Sequence, residues 1–519
     1  MLRRSSPVRI VSSLFPDPIR HVLVGSTQGA DRSYHLVIRL DPPRARTAYT
    51  TSVGADPVAE AQPDIVPDPG VASFASVRRR MLRGSAWTLG GKAATTVLGF
   101  VINILLARML SLEELGGYFT AYTMVIVGSV IAQLGLDRAV VRFVSSSIGT
   151  GLAGRARDAV RTVFAFGSLG TAVMGVLVLA GGGWIARQVL HAPVLAAAIP
   201  LVAGWLAATA IQSLLVETFR SFQRFDLSTI FDALLVDVLC ASVFGALYLV
   251  GAHPSLRQVL LTSAGFTAIV ALVAGGLLAR PLGRLHGEGR ASRSEIFAVA
   301  WPVLITNVAI YLLNTGIDLL VLGAFRPQNT VAIYGAAARL MMLVQTPYLI
   351  LQGVTPPVIA ELYAQGRKRE LERVLRSVAT LAGAPAFAVL TMFVFFGSPV
   401  LGLFFGPHFR QGASILAILS VGRLVSVWAG SCGITLMMTG YQRQMMYITI
   451  LSGVGSVTAG IVAAPHFGAT GVAVATASAA CVQNLLQLRY ARRLTGIRTQ
   501  AELSLKPFLQ FFLGKGLDA

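Results

Sequence analysis

Residues Gly84–Arg138 read GSAWTLGGKAATTVLGFVINILLARMLSLEELGGYFTAYTMVIVGSVIAQLGLDR: two apolar runs parted by a short loop that gathers Arg108, Ser111, Glu113 and Glu114. At 1.5 Å of rise per residue, about twenty helical residues reach across the ~30 Å hydrocarbon core of a bilayer. Outward from this pair, runs of the same kind recur along most of the 519 residues. The chain is 54% hydrophobic and 13% charged, with a mean hydropathy of +0.68. A soluble domain carries about 25% charged residues. That excludes the roughly three or four soluble domains the length alone would allow. The composition is that of an all-α integral membrane protein.

Twelve spans are expected, near residues 85–107, 116–137, 159–181, 195–216, 230–250, 257–279, 298–323, 332–356, 376–397, 412–437, 445–465 and 468–488. Loop charge tests that count, because Lys and Arg collect in cytoplasmic loops. Loops 2–3, 4–5, 6–7, 8–9 and 10–11, with their flanks, hold seventeen, from Arg138 and Arg142 to Arg443. The opposite loops hold five: Arg108, Arg187, Arg257, Arg326 and Arg410. The alternation supports twelve spans with both termini cytoplasmic, in a cytoplasmic (inner) membrane. It also accounts for the net charge of +20 without nucleic acid as a partner.

Residues 1–83, rich in Pro, Asp, Ser, Thr and Arg, lack periodicity and are expected to form a disordered cytoplasmic extension. They hold no h-region with a cleavage site. Residues 84–282 and 283–493 then form two six-helix lobes, and 494–519 a cytoplasmic tail. Cys240, Cys432 and Cys481 lie far apart in apolar runs, so neither a disulfide nor a metal site is expected. No P-loop, HExxH or GxSxG motif is present, so neither a catalytic residue nor a cofactor is expected.

A repeat is visible. Ala107-Arg108-Met109-Leu110 precedes Tyr118 and the second span, and Leu322-Gly323-Ala324-Phe325 precedes Tyr334 and the eighth, at an offset of about 216 residues. Six spans per half is an even number, so the halves share one orientation, related by a pseudo-twofold along the membrane normal. The first half carries Gly84-Ser85-Ala86-Trp87, then LLARMLSLEELG at 105–116, then Leu134-Gly135-Leu136-Asp137-Arg138. The second carries Trp301-Pro302-Val303, DLLVLG at 318–323, YGAAARL at 334–340, PPVIAEL at 356–362, FGPHF at 405–409 and HFGATGVA at 466–473. In order and spacing, across roughly Arg83 to Arg493, this pattern resembles the polysaccharide or O-antigen flippases. These belong to the exporter superfamily that also holds the multidrug (MATE) and lipid II flippase families. The resemblance implies two lobes around a central cavity opened alternately to each face. It implies as substrate an isoprenoid pyrophosphate carrying an oligosaccharide. Membrane lipids, a polysaccharide polymerase and glycosyltransferases are the implied partners.

An ionisable group at mid-span costs about 2.5–3.5 kcal/mol on insertion scales, so it needs a partner or a wet cavity. Arg423, near the centre of span 10, is either a cavity cation for a pyrophosphate or a structural cation met by helix-end carbonyls or an acid. Lys92, Thr96 and Asn103 share one face of span 1, expected to line the cavity; Lys92 can also snorkel. Asn307, Asn314 and Asp318 share a face of span 7. Asp318 and Arg339 fall at similar depth, where they can form a buried pair. Gln345 and Gln352 share a face of span 8 suited to sugar hydroxyls. Asp232 and Asp237 in span 5 are candidate proton or cation sites. The candidate substrate-binding set is Lys92, Asn103, Asn307, Asn314, Asp318, Arg339, Gln345, Gln352 and Arg423.

The leading function is translocation of a lipid-linked oligosaccharide to the outer leaflet. Two others stand beside it. A MATE-type multidrug or cation exporter favours an acid-rich cavity. A membrane glycan polymerase or glycosyltransferase needs a large outer loop or a soluble catalytic domain. Reporter fusions should place the loop around Arg284–Arg293 and both termini in the cytoplasm. An extracytoplasmic signal from that loop or from the C-terminus breaks the span count.

Overall fold

The computed structural model describes residues 74–502 apart from 286, 288, 315, 353 and 354. Most of the expected N-terminal extension (1–73) and part of the expected tail (503–519) lie outside the described residues. Every regular element among the described residues is helical.

Ten of these helices are long and apolar enough to cross a bilayer. The longest, Gln442–Thr495, has 54 residues and bends at Gly468 (φ 59°), so it supplies spans 11 and 12 as two arms. Gln328–Gln352 supplies span 8. Together these make the twelve read from the sequence. Span 1 lies in Phe74–Met109, span 2 is Leu112–Ala132, and span 3 is Ala153–Trp184. Span 4 is Ile199–Ser221, span 5 is Phe225–Leu249 and span 6 is Leu256–Arg284. Span 7 is Arg293–Asn314 continued by Ile317–Phe325; spans 9 and 10 are Lys368–Phe404 and Ala413–Ala429.

The helices depart from the hydropathy pattern where backbone geometry, not apolarity, decides. Span 7 breaks before Gly316, whose φ of 83° is outside the range of a right-handed helix. The single helical face expected for Asn307, Asn314 and Asp318 is therefore interrupted. Asp318 sits instead in the first turn of Ile317–Phe325, where its Oδ1 accepts from the Leu319 N–H (3.2 Å). The helix of span 1 begins at Phe74, inside the stretch expected to be disordered. The last span does not release a free tail at once. Thr499 Oγ1 donates to the Ala429 carbonyl (2.8 Å), and Glu502 pairs with Arg376 (2.5 Å), so residues 496–502 run back along spans 9 and 10.

Local signals fix the other ends. Ser111 and Glu114 form a capping box at the start of span 2, and Glu114 Oε1 also accepts from the Leu256 N–H (3.2 Å), joining spans 2 and 6. Leu136–Gly149 follows span 2 and Thr355–Ala364 follows span 8, as the repeat requires.

The lobes meet on spans 2 and 8, which run side by side in one direction. Parallel packing of equivalent helices is what a pseudo-twofold along the normal produces. Residues 115–121 of span 2 and 331–337 of span 8 are continuously buried, and the two stretches are 216 residues apart. Hydrocarbon offers helices no hydrophobic drive to associate, so close backbone approach through small residues carries the contact. A Cβ added at Gly116 would lie 2.1 Å from the Gln328 carbonyl oxygen, and one at Gly335 would lie 2.3 Å from the Phe119 ring. A second seam joins span 7 to the turn after span 2. There Leu134 (φ 53°) and Gly135 (φ 74°) redirect the chain, and a Cβ on Gly135 would lie 2.1 Å from the Ala300 carbonyl.

Gly135→Ala should lower the thermal-unfolding midpoint of the purified protein, by more than the about 1–2 kcal/mol that left-handed backbone alone costs a residue with a Cβ. Gly99 has no heavy atom within 4 Å of an added Cβ. Gly99→Ala should leave the midpoint unchanged or raise it by the equivalent of about 0.5–1 kcal/mol.

Candidate functional site

Span 8 divides its side chains between the lobes by helical register. Gly335 and Arg339, one turn apart, face the first lobe. The Arg339 guanidinium carbon lies 4.9 Å from the centroid of the Tyr122 ring and 5.7 Å from that of Phe119. Tyr334 and Met341, two turns apart, face the interior of the second lobe. There the Tyr334 hydroxyl donates to Asp318, and the Met341 sulfur accepts from Arg423 Nε (3.1 Å).

The Asp318–Arg339 pair expected from the sequence does not form. The five residues from Tyr334 to Arg339 turn the helix by about 140° modulo full turns, so the two point apart. Asp318 has the Tyr334 hydroxyl as donor and Arg423 as the cation acting on it. Asp318, Tyr334 and Arg423 thus form one polar cluster inside the second lobe.

Arg339 is different. It is half-buried, and among the described residues its contacts are ring faces, with no ion pair. Cation–π contact contributes about 0.5–2 kcal/mol and leaves the charge unneutralised and the guanidinium N–H donors available. The cation stands where the lobes meet.

The other candidates are dispersed around it. Asn307 Nδ2 donates to Asp137 Oδ2 across the seam between spans 2 and 7 (3.2 Å), and Asp137 Oδ1 is buried without a partner. Asn103 Nδ2 is turned back on its own helix, donating to the Gly99 carbonyl (2.5 Å). Lys92 is exposed on span 1, and Gln345 is half-buried on span 8. The side chains of Asn314 and Gln352 lie outside the described residues. Sequence reasoning missed Tyr122, Phe119, Asp137 and Tyr334. Two of these left a trace: Tyr334 aligns with Tyr118 in the repeat, and Asp137 ends the LGLD run at 134–137.

The gap is closed at the arginine-poor end, the one carrying loops 1–2, 3–4, 5–6, 7–8 and 9–10. Gln328 is buried there, with Oε1 accepting from Thr120 (3.0 Å) and Nε2 donating to the Leu190 carbonyl (2.7 Å). Toward the other end of span 8, Met342 and Leu349 are exposed, and so is Ile131 of span 2.

A family model described as "Polysaccharide biosynthesis protein" matches residues 81–363, more than half of the chain. The chain belongs to the polysaccharide biosynthesis protein family. The capsular polysaccharide biosynthesis protein CapF of Staphylococcus aureus is 27% identical over 158 residues, which are 30% of this chain and 40% of that protein. The match thus spans two fifths of that relative's length. Among solved structures, the lipid II flippase MurJ in an inward closed conformation superposes with a TM-score of 0.63 at 13% identity, covering 83% of this chain and 93% of that one. An inward-facing MATE transporter gives 0.58 at 16% identity, covering 78% and 94%. A transporter of the same superfamily from Pyrococcus furiosus gives 0.52 at 15%, covering 81% and 96%. At these identities the likeness is one of fold. This family member has the two-lobed, all-helical architecture of those transporters and, with its many apolar helices, is a multi-pass membrane protein.

Tyr334→Phe removes the donor to a buried carboxylate and should lower stability by about 1–3 kcal/mol. Thermal unfolding of Tyr334→Phe, Asp318→Asn and the double variant should give a coupling of about 0.5 kcal/mol or more. Additive effects would show that the pair does not interact.

Proposed function

We propose that this protein moves a lipid-linked oligosaccharide, an isoprenoid pyrophosphate bearing sugars, from the inner to the outer leaflet of the cytoplasmic membrane by alternating access. The observation that carries the reading is Arg339, a half-buried cation on the lobe interface held by the Tyr122 and Phe119 rings instead of an acid. A phosphate-bearing headgroup cannot cross hydrocarbon unaided. It needs a polar cleft with an unneutralised cation, while the isoprenoid tail stays in lipid. The planar guanidinium fork suits two phosphate oxygens at once. An exporter of organic cations needs an acid at this position; Asp318 and Asp137 are engaged by Tyr334 and Asn307, and Asp232 and Asp237 lie on span 5. An inside-negative potential assists outward movement by about 2.3 kcal/mol per anionic charge per 100 mV.

The remaining candidates take supporting roles. Asn307, Gln345 and Lys92 line or flank the gap, whereas Arg423 neutralises Asp318 and keeps the second lobe rigid. Membrane lipids hold the tail. A polymerase and glycosyltransferases stand on either side of the step. Lobes 84–282 and 283–493 rock about the seam formed by spans 2 and 8.

Arg339→Ala should reduce export by about thirtyfold or more at normal protein abundance, the cost of leaving a desolvated anion without its partner. Arg339→Lys should retain part of the activity. Lipid extracts of a deletion strain carrying either variant report the outcome as lipid-linked oligosaccharide retained on the inner leaflet. Export at the unmodified level in Arg339→Ala would remove Arg339 from the substrate site.

A further inference from the structure

Two of the concavities among the described residues lie away from Arg339. One is an apolar groove of about 690 Å³ between the arms of spans 11 and 12, lined by residues such as Gly455, Ala459 and Val474. Its polar lining is limited to the hydroxyls of Ser452, Thr470 and Ser478, with no charged group to select a headgroup. The other sits at the arginine-poor end, has a different lining, and is not used by the transport step above.

This second cleft encloses about 830 Å³, within the about 300–1,000 Å³ usual for ligand sites. Both lobes build it. The first supplies Arg108, Glu113 and Tyr248; the second supplies Asn329, Phe405 and His408. The Arg108 guanidinium is fixed in place, with Nε donating to the Phe404 carbonyl (3.1 Å) and Nη2 to the Leu403 carbonyl (2.5 Å). Phe405 is buried beneath, while Tyr248, Glu113, Asn329 and His408 are exposed. Among the described residues, the side chains of Glu113, Asn329 and His408 make no hydrogen bond within the protein.

The chemistry of the lining selects among ligands. A phosphate site needs an excess of cationic donors. Here Arg108 already spends two donors on backbone carbonyls and is balanced by Glu113. The other polar groups include a carboxylate, an amide, an imidazole and a phenol around aromatic rings, and the charges of Arg108 and Glu113 cancel over the lining as a whole. A sugar ring matches that set, because it offers hydroxyls that both donate and accept together with an apolar C–H face. The cleft also lies directly beyond the seam: Leu112 and Glu113 open span 2, Asn329 adjoins Gln328, and Gly116 packs on Gln328. A headgroup passing the opened seam arrives in it.

We propose that this cleft is a second substrate site, one that binds uncharged, hydroxyl-rich saccharide units on the arginine-poor face of the protein. Its biological meaning rests on the flippase reading, but its chemistry does not require the lipid or the pyrophosphate. The full chain, purified in detergent, is mixed with maltotriose or chitotriose and observed by saturation-transfer NMR. Saccharide signals are expected from the unmodified protein. They should be lost in Tyr248→Ala and in Asn329→Ala, whose exposed positions leave the thermal-unfolding midpoint unchanged. Inorganic pyrophosphate at equal concentration should not displace the sugar. Absence of signal with both saccharides, signal unaffected by both substitutions, or displacement by pyrophosphate each overturns the proposal. A protein that binds the sugars but moves no lipid-linked saccharide keeps this site and loses the flippase reading. One that moves it without binding the free sugars loses this site alone.

Discussion

A peptide group freed inside hydrocarbon has no water to turn to, and leaving it unsatisfied costs several kcal/mol. The bends and breaks in these helices depend on meeting that requirement. At the Gly468 bend, Arg326 donates to the carbonyls of Ala464 and Pro465 (3.3 and 2.9 Å). At the end of span 9, Arg108 does the same for Leu403 and Phe404. Inside span 5, a π-turn at Ile230–Leu234 loosens the carbonyl ladder, and the Gln212 amide donates to the Phe231 and Asp232 oxygens (2.8 and 2.5 Å). Where Gly430 (φ 70°) ends span 10, Thr499 donates to Ala429. Each of these four departures from a straight rod is thus tied to a donor elsewhere in the chain. Arg108 and Arg326 occupy matching places in the two halves, so the device itself is repeated.

The same requirement governs how the lobes touch. With helical backbone groups committed within their own helices, contact between lobes is left to surfaces that can approach closely. Gly116 against Gln328, Gly335 against Phe119 and Gly135 against Ala300 supply it. The arginine-poor half of the spans 2 and 8 contact is closed by a buried glutamine bonded at both Oε1 and Nε2. The seam between spans 2 and 7 adds to the Gly135–Ala300 contact a hydrogen bond from Asn307 to an aspartate whose second oxygen is buried without a partner.

Much of the architecture was legible in the residues because it rests on signals that act locally. A twenty-residue apolar run, an arginine on alternate sides and a repeated tyrosine each report on a span without reference to any other. The site was only partly legible. Arg339 was found by its charge, but its companions were not, because Tyr122 and Phe119 lie more than two hundred residues away and are apolar or aromatic in an apolar run. Asp318 was found and misassigned: depth placed it beside Arg339, and helical register placed it beside Tyr334. The break at Gly316 escaped because hydropathy does not register φ. The docking of residues 496–502 escaped because its contacts, hydrogen bonds from Thr499, Ala501 and Glu502 and the burial of Ile497 with Leu371 and Leu375, follow no periodic pattern.

The facing of Arg339 and Tyr122 has a consequence for how such a chain could have arisen from a doubled half. In the 216-residue register shared by Tyr118 and Tyr334, the counterpart of Arg339 is Thr123 and that of Tyr122 is Ala338. A symmetric ancestor would have placed identical side chains at 123 and 339. Two arginines would set two like charges between the lobes; two threonines would leave the contact neutral. The present pairing is stable and charged only because the copies have diverged at this point. The halves are therefore no longer interchangeable, and a chimera of two first lobes or two second lobes would lose or double the Arg339 cation.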